Sequence, residues 1–171
     1  MKKIVFITGG ARSGKSTLAV ELARKRRGPV VFVASCEPAD IEMRERVRKH
    51  RRDRPAAWKT IEEPVDLAGA VRSASSAGVV IVDCLTLWVS NLMARRMKEP
   101  EILRLTADLT DAARKGKASV IIVSNEVGWG IVPTNKTARL FRDIAGRVHQ
   151  AVARESDEVY LTVAGLPVKI K

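Results

Sequence analysis

Four short runs of apolar residues recur along the chain, and each is rich in β-branched side chains. They are residues 4–8 (IVFIT), 30–34 (VVFVA), 79–83 (VVIVD) and 120–124 (VIIVS). Runs without regular polar alternation are typical of strands that are buried on both faces of a sheet. The pattern therefore predicts a parallel sheet.

The stretches between these runs carry apolar residues at helical spacing, with glycine or proline near their ends. Helices are predicted over residues 15–27, about 39–53, 64–75, 84–97, 99–115 and about 134–155. The tail EVYLTVAGLPVKIK predicts two further strands joined at Ala164 and Gly165. Alternation of strand and helix predicts a doubly wound α/β fold, with a mostly parallel central sheet and helices on both faces.

Composition narrows the class of protein. A chain of 171 residues with 46% hydrophobic and 29% charged residues is expected to fold as one domain over residues 1–171. The net charge of +12 favours a polyanion or a highly charged phosphate ligand. Cys36 and Cys84 form neither a CxxC pair nor a disulfide framework, which favours a reducing compartment. The apolar run at the N-terminus is too short for a signal sequence or a membrane span, so a cytoplasmic location is expected.

The segment GGARSGKST carries the strongest chemical signal. Gly9 is followed by four residues and then by Gly14, Lys15 and Ser16, which completes the G-x4-G-K-[ST] pattern of a phosphate-binding loop. The segment also lies between a predicted strand and a predicted helix, as such a loop must. Backbone N–H groups would surround the β-phosphate, Lys15 would reach the β- and γ-phosphates, and the Ser16 hydroxyl would bind Mg²⁺.

Two acidic residues follow later strands of the predicted sheet. Asp83 ends the run VVIVD, which predicts a second ligand of Mg²⁺ on a strand neighbouring the first; a helix N-cap is the alternative. Glu126 lies in the segment SNEVGWGIVP, after the fourth run, at the sheet edge where ligands of such folds bind. Substrate contact and an ordinary solvated acid remain equally open for Glu126.

His50 lies among seven cationic residues in the segment RERVRKHRRDRP. A packing histidine on a solvated basic helix is one interpretation, because His50 shares the apolar stripe with Met43 and Val47. The other is a nucleophile: nearby cations lower the pKa of the imidazole and would stabilise charge on an attacked phosphate. His149, without such surroundings, is predicted to lie on a helix surface or to pack.

Several segments together resemble one family. ITGGARSGKS, ERVRKHRRDRPAAW, DCLTLWVSNL, SNEVGWGIVP, RLFRDIAGRVHQ and the ending GLPVKIK are similar, in order, to blocks of the bifunctional adenosylcobinamide kinase/adenosylcobinamide-phosphate guanylyltransferase family of cobalamin biosynthesis. The phosphate loop is common to many families, whereas H-x3-R-P and N-E-V-G-x-G-I-V-P are more selective. The resemblance implies a RecA-like P-loop NTPase fold and a homo-oligomer, with a trimer as the expected state.

The resemblance also implies two reactions and their residues. Adenosylcobinamide would be phosphorylated with ATP or GTP, and a histidine, here His50, would then carry GMP from GTP to adenosylcobinamide phosphate. Two positions depart from relatives: Lys49 stands where some carry a second histidine, and Asp83 where others carry Glu. The positions that the family uses for nucleotide are Gly9, Gly10, Ala11, Arg12, Ser13, Gly14, Lys15, Ser16, Ala34, Ser35, Cys36, Arg51, Arg52, Asp53, Arg54, Glu62 and Cys84.

Two other functions are compatible with the sequence. In a P-loop kinase for another small alcohol, His50 would only pack. In a nucleic-acid-dependent ATPase, the basic helix would contact the nucleic acid, but aromatic residues make up only 4% and none interrupts the basic run to stack on bases. The bifunctional enzyme without a nucleic-acid partner is the preferred prediction.

Overall fold

The computed structural model describes residues 2–37, 41, 45, 48, 55–74 and 76–171. Their strands are β1 (Ile4–Gly9), β2 (Val30–Ala34), β3 (Lys59–Glu62), β4 (Val79–Asp83), β5 (Ser119–Val123), β6 (Glu158–Val163) and β7 (Leu166–Lys169). Their helices are α1 (Lys15–Arg24), α2 (Leu67–Ser73), α3 (Leu85–Ala94), α4 (Glu99–Lys115) and α5 (Lys136–Glu155). Of the helix predicted over residues 39–53, the structure describes only residues 41, 45 and 48, which are helical, and the rest lies outside the described residues.

The seven described strands form one sheet in the order β3-β2-β4-β5-β1-β6-β7. Every pairing is parallel except the one between β6 and β7, which are antiparallel. The four predicted apolar runs became β1, β2, β4 and β5, the central strands. The two strands predicted in the tail form the β6–β7 hairpin, whose turn is Ala164 and Gly165.

Strand β3 was not predicted from the sequence. Its residues, KTIE, include one apolar side chain, and both ends of the strand are exposed. It pairs only with β2 at the edge of the described sheet, so little of it needs to be hydrophobic. Continuous apolar runs in the sequence therefore predict the central strands but not this edge strand.

Two predicted helices end earlier than expected, and a third begins later. Helix α1 stops at Arg24 rather than 27, and α3 at Ala94 rather than 97, where Arg96 adopts a positive φ of 61° that no helix continues through. Helix α2 begins at Leu67 because the carboxylate of Asp66 accepts a hydrogen bond from the Gly69 N–H and caps the first turn.

The apolar side chains lie on both faces of the sheet. On one face, α1 packs against strand residues such as Val5, Ile7 and Ile81. On the other, α2, α3, α4 and α5 cover residues such as Phe6 and Val82. None of the helices in the described part of the chain is long and apolar enough to cross a membrane.

Candidate active site

The predicted phosphate loop joins β1 to α1 at the carboxyl edge of the sheet. Gly14 precedes the first helical residue with a φ of 98°, a left-handed conformation that favours glycine. Ala11 and Arg12 are exposed, whereas Ser13 is buried. The free N–H groups at the start of α1 therefore lie beside a short loop, in the arrangement that binds phosphate in other proteins.

Lys15 is held inside this loop. Its side chain is only 7% exposed, and its Nζ donates a hydrogen bond of 2.6 Å to the Gly10 carbonyl oxygen. Burial lowers the pKa of Lys15, while the negative charge of Asp83 opposes that shift. The negative charge of a polyphosphate bound in the loop would also stabilise the charged ammonium of Lys15, as the charge of Asp83 does.

Ser16 and Asp83 meet at the carboxyl edge of the sheet. The Ser16 hydroxyl donates to Asp83 Oδ2 over 3.3 Å. The expectation that Asp83 lies on the neighbouring strand was wrong, because β5 lies between β1 and β4. The contact still forms because the carboxyl ends of parallel strands share one edge. A hydroxyl and a carboxylate supply the oxygen ligands that Mg²⁺ prefers, and bound phosphates and water would supply the others.

The segments after β2 and β4 are joined by buried hydrogen bonds. Ser35, which is fully buried, donates from Oγ to the Cys84 carbonyl oxygen over 2.7 Å and accepts from the Cys84 N–H over 2.8 Å. Ala34 pairs in register with Asp83 on one side and with Glu62 on the other. The predicted nucleotide positions in these three strands therefore lie side by side.

Asn91 of α3 connects the loops that follow β2 and β3. Its Nδ2 donates to the Ser35 carbonyl oxygen over 2.7 Å and to the Pro64 carbonyl oxygen over 3.1 Å. Trp88, one helical turn earlier, donates from Nε1 to the Val65 carbonyl oxygen over 2.7 Å. Helix α3 thereby holds both loops at one edge of the sheet.

The two cysteines lie next to this edge and differ in burial. Cys84 is 5% exposed, and burial followed by the nearby charge of Asp83 raises the pKa of its thiol to about 11. Cys36 is half-buried, and burial, then Asp83 and Glu62, raise the pKa of its thiol. Both are therefore neutral thiols near pH 7, and neither is suited to act as a nucleophile.

Glu126 lies directly beside the phosphate loop. Its N–H donates to the Gly9 carbonyl oxygen over 2.8 Å, and its Oε1 accepts from the Gly128 N–H over 2.7 Å. Oε2 lies 3.9 Å from Nδ1 of His149. His149 is 9% exposed and is hydrogen-bonded through Nε2 to Ser124 Oγ over 2.7 Å, so it packs in the interior, which is one of the two placements predicted for it.

The remaining predicted site residues are not part of the described structure. His50, Arg51, Arg52, Asp53 and Arg54 lie outside the described residues. Their roles stay predictions from the sequence and the family resemblance.

Sequence reasoning missed three residues that build this site. Thr162 and Gly165 contact the phosphate loop, and Asn91 joins the two loops near Ser35. Each makes contacts to residues far away along the chain, so its role at the site cannot be read from the segment in which it lies. A buried threonine in a strand and an asparagine within an apolar helix were the available signals.

Comparisons with known families point to one group of enzymes. The family model described as cobinamide kinase / cobinamide phosphate guanyltransferase matches residues 5–170. The bifunctional adenosylcobalamin biosynthesis protein CobP of Pseudomonas aeruginosa is 43% identical over 168 residues, which cover 97% of this chain and 96% of that protein. The corresponding Escherichia coli protein, CobU, is 38% identical over 181 residues, covering 98% and 99% of the two chains.

Solved structures with low identity share the fold. A KaiC-like protein from Pyrococcus horikoshii has a TM-score of 0.51 at 16% identity, covering 93% of this chain and 70% of that one. The RadB recombinase has a TM-score of 0.53 at 18% identity, covering 93% and 73%. The RecA-like P-loop fold predicted from the sequence is therefore confirmed.

Proposed function

This chain belongs to the cobinamide kinase/cobinamide phosphate guanyltransferase family, and we propose that it performs both reactions at the carboxyl edge of its sheet, with His50 as the nucleophile of the second. The observation that carries the proposal is the arrangement of the phosphate loop: Lys15 lies inside it, and Ser16 lies 3.3 Å from Asp83. Its nucleotide substrates are ATP or GTP in the first step and GTP in the second.

The first reaction is a phosphoryl transfer to an alcohol. The terminal hydroxyl of the aminopropanol arm of adenosylcobinamide attacks the γ-phosphorus, an O–P bond forms, and the bond between the γ-phosphorus and the bridging oxygen breaks. The nucleoside diphosphate leaves, and the hydroxyl proton passes to solvent. Lys15 and the N–H groups of residues 10–16 hold the phosphates in line and stabilise the charge that develops on them.

The second reaction passes through a covalent intermediate. A nitrogen of His50 attacks the α-phosphorus of GTP, an N–P bond forms, and pyrophosphate leaves as the bond to the bridging oxygen breaks. A phosphate oxygen of adenosylcobinamide phosphate then attacks the same phosphorus, and cleavage of the N–P bond releases adenosylcobinamide-GDP and free His50. Splitting the transfer in two is the usual advantage of a nucleophilic residue.

Ser16 and Asp83 are the residues that would hold Mg²⁺. Bound there, the ion would neutralise phosphate charge during both transfers. Asp83 is shorter than the Glu found in some relatives, and its carboxylate is already within hydrogen-bond distance of the Ser16 hydroxyl. The donor set therefore fits the ion without any change of fold.

Three broader features belong to the same proposal. The family match over residues 5–170 and the single described sheet support one domain spanning 1–171. The resemblance supports a homo-oligomer, with a trimer as the expected state, and a cytoplasmic location. Ala34, Ser35, Cys36, Glu62 and Cys84 would form the guanine-nucleotide contacts.

The test is covalent labelling with GTP carrying ³²P on the α-phosphate. We expect label that survives denaturation and alkali but is lost in acid, as for a phosphoramidate, and that is absent from His50→Ala. His149→Asn, which changes the chain's other histidine, should keep the label and serves as the matched control. If the wild-type protein binds GTP but forms no labelled adduct, the guanylylated histidine is excluded, and a simple P-loop kinase is the better interpretation.

A further inference from the structure

The β6–β7 hairpin at the end of the chain packs directly on the phosphate loop. Thr162, near the end of β6, is 1% exposed, and its Oγ1 lies 2.7 Å from Ser13 Oγ. The N–H of Gly165, in the hairpin turn, donates to the Ser13 carbonyl oxygen over 3.0 Å. Ser13 is therefore held by the hairpin through both its side chain and its backbone.

The hydroxyl groups form one directed chain of hydrogen bonds. Thr162 Oγ1 donates to the Thr8 carbonyl oxygen over 3.3 Å, so its lone pairs remain to accept from Ser13 Oγ. Ser13 Oγ in turn accepts a long hydrogen bond of 3.4 Å from Lys15 Nζ. Strand β6, which lies next to β1 in the sheet, thus supports Lys15, the residue that is predicted to bind phosphate.

The backbone contacts determine which way the loop's peptides face. In a planar trans peptide the C=O and the following N–H point in opposite directions. Because the Ser13 carbonyl oxygen faces Gly165, the Gly14 N–H faces away from the hairpin. In the same way the Gly9 carbonyl oxygen accepts from Glu126, so the Gly10 N–H faces away from the loop after β5. Contacts outside the loop therefore orient two of its N–H groups.

Close packing leaves the loop little freedom on this side. A Cβ placed on Gly9 would lie 2.4 Å from the Thr162 carbonyl oxygen, and one placed on Gly14 would lie 3.0 Å from the Gly165 Cα. Both neighbours are backbone atoms, which cannot rotate away. The glycines of the motif are therefore required by the hairpin as well as by any phosphate.

We propose that Thr162 and the β6–β7 turn are positioning elements of the phosphate loop, which hold its N–H groups and Lys15 in the nucleotide-binding arrangement before nucleotide arrives. Pre-organisation of this kind strengthens binding because less order has to be gained in the complex. The inference rests on the proposed function in one respect: both reactions use this loop, so both depend on the hairpin. Neither reaction requires Thr162 to touch the nucleotide.

The decisive variant is Thr162→Val, which keeps the shape of the side chain and removes its hydroxyl. Loss of a buried hydrogen-bond partner predicts that the Kd values of ATP and GTP, measured by calorimetry, rise about tenfold. KM for nucleotide should rise by the same factor in the kinase and guanylylation assays, while kcat changes much less. Thr162→Ser keeps the hydroxyl and should restore nucleotide affinity.

The matched control is Thr106→Val in α4. Thr106 is also fully buried, and its Oγ1 donates to the Ile102 carbonyl oxygen over 2.8 Å, far along the chain from the phosphate loop. This variant should lower Tm without changing nucleotide Kd. The inference is overturned if Thr162→Val lowers Tm but binds nucleotide as tightly as the wild type, or if Thr162→Ser fails to restore binding. Because the proposed adduct forms from GTP and the kinase step needs adenosylcobinamide, the Kd of ATP without adenosylcobinamide is measured without turnover, and this outcome is independent of whether the wild type forms the guanylylated histidine.

Discussion

At the scale of single residues, the buried His149 couples stability to pH. Burial lowers its pKa below the ordinary value of 6.5, with Glu126 opposing the shift. As pH falls below about 6.5, the unfolded chain therefore binds a proton that the folded protein excludes. Stability that is present at neutral pH should be lost progressively until the pH passes the folded-state pKa, where the loss levels off.

His149→Gln tests this linkage because glutamine does not titrate. We expect the wild type to lose more free energy of unfolding than the variant between pH 7.5 and 5, at a slope of at most about 1.4 kcal/mol per pH unit. Urea denaturation at several pH values measures it. Any contribution of His50 is common to both proteins and cancels in the difference. Parallel pH profiles would contradict the assignment of the effect to His149.

At the scale of secondary-structure elements, α3 connects the two predicted nucleotide loops through Asn91. Asn91→Leu would leave the Ser35 and Pro64 carbonyl oxygens without their donor. Loss of these partly buried hydrogen bonds should raise KM for GTP in guanylylation about tenfold. The kinase step with ATP should change less, because ATP carries no guanine to be recognised there.

Ser90 provides a control on the same helix, since its side chain is exposed. Ser90→Ala should leave both KM values and Tm unchanged. Steady-state kinetics of the two half-reactions, run on the same protein preparations, make the comparison. An equal rise of KM for ATP and GTP in Asn91→Leu would show that α3 supports the phosphate loop rather than a guanine subsite.

At the scale of the whole molecule, the net charge of +12 should attract nucleotide polyphosphates. Salt screens such attraction, with a Debye length of about 10 Å at 0.1 M. We therefore expect the Kd of GTP to rise with NaCl concentration. The slope of log Kd against log salt should decrease from GTP to GDP to GMP, measured by calorimetry from 0.05 to 0.5 M, about one decade in salt. Identical slopes for the three nucleotides would show that the overall charge plays no part in binding.

The sequence by itself determined the features that depend on local pattern. Buried strands leave continuous β-branched runs, so β1, β2, β4 and β5 were found within one residue of their ends. The phosphate loop is equally local, because its eight residues must follow one another to surround a phosphate. The resemblance that named the family was also carried by short contiguous segments, and the family match confirmed it.

Only the tertiary structure decided which distant residues meet. Strand β5 lies between β1 and β4, so these two strands are not neighbours in the sheet. Ser16, which follows β1, nevertheless contacts Asp83 at the end of β4, 67 positions away along the chain. The same order placed Thr162 against Ser13 across 149 positions. Periodicity records which side chains are buried, but it does not record which buried hydroxyl will face which loop. That pairing arises when the sheet forms, because the order of its parallel strands decides which carboxyl ends become neighbours.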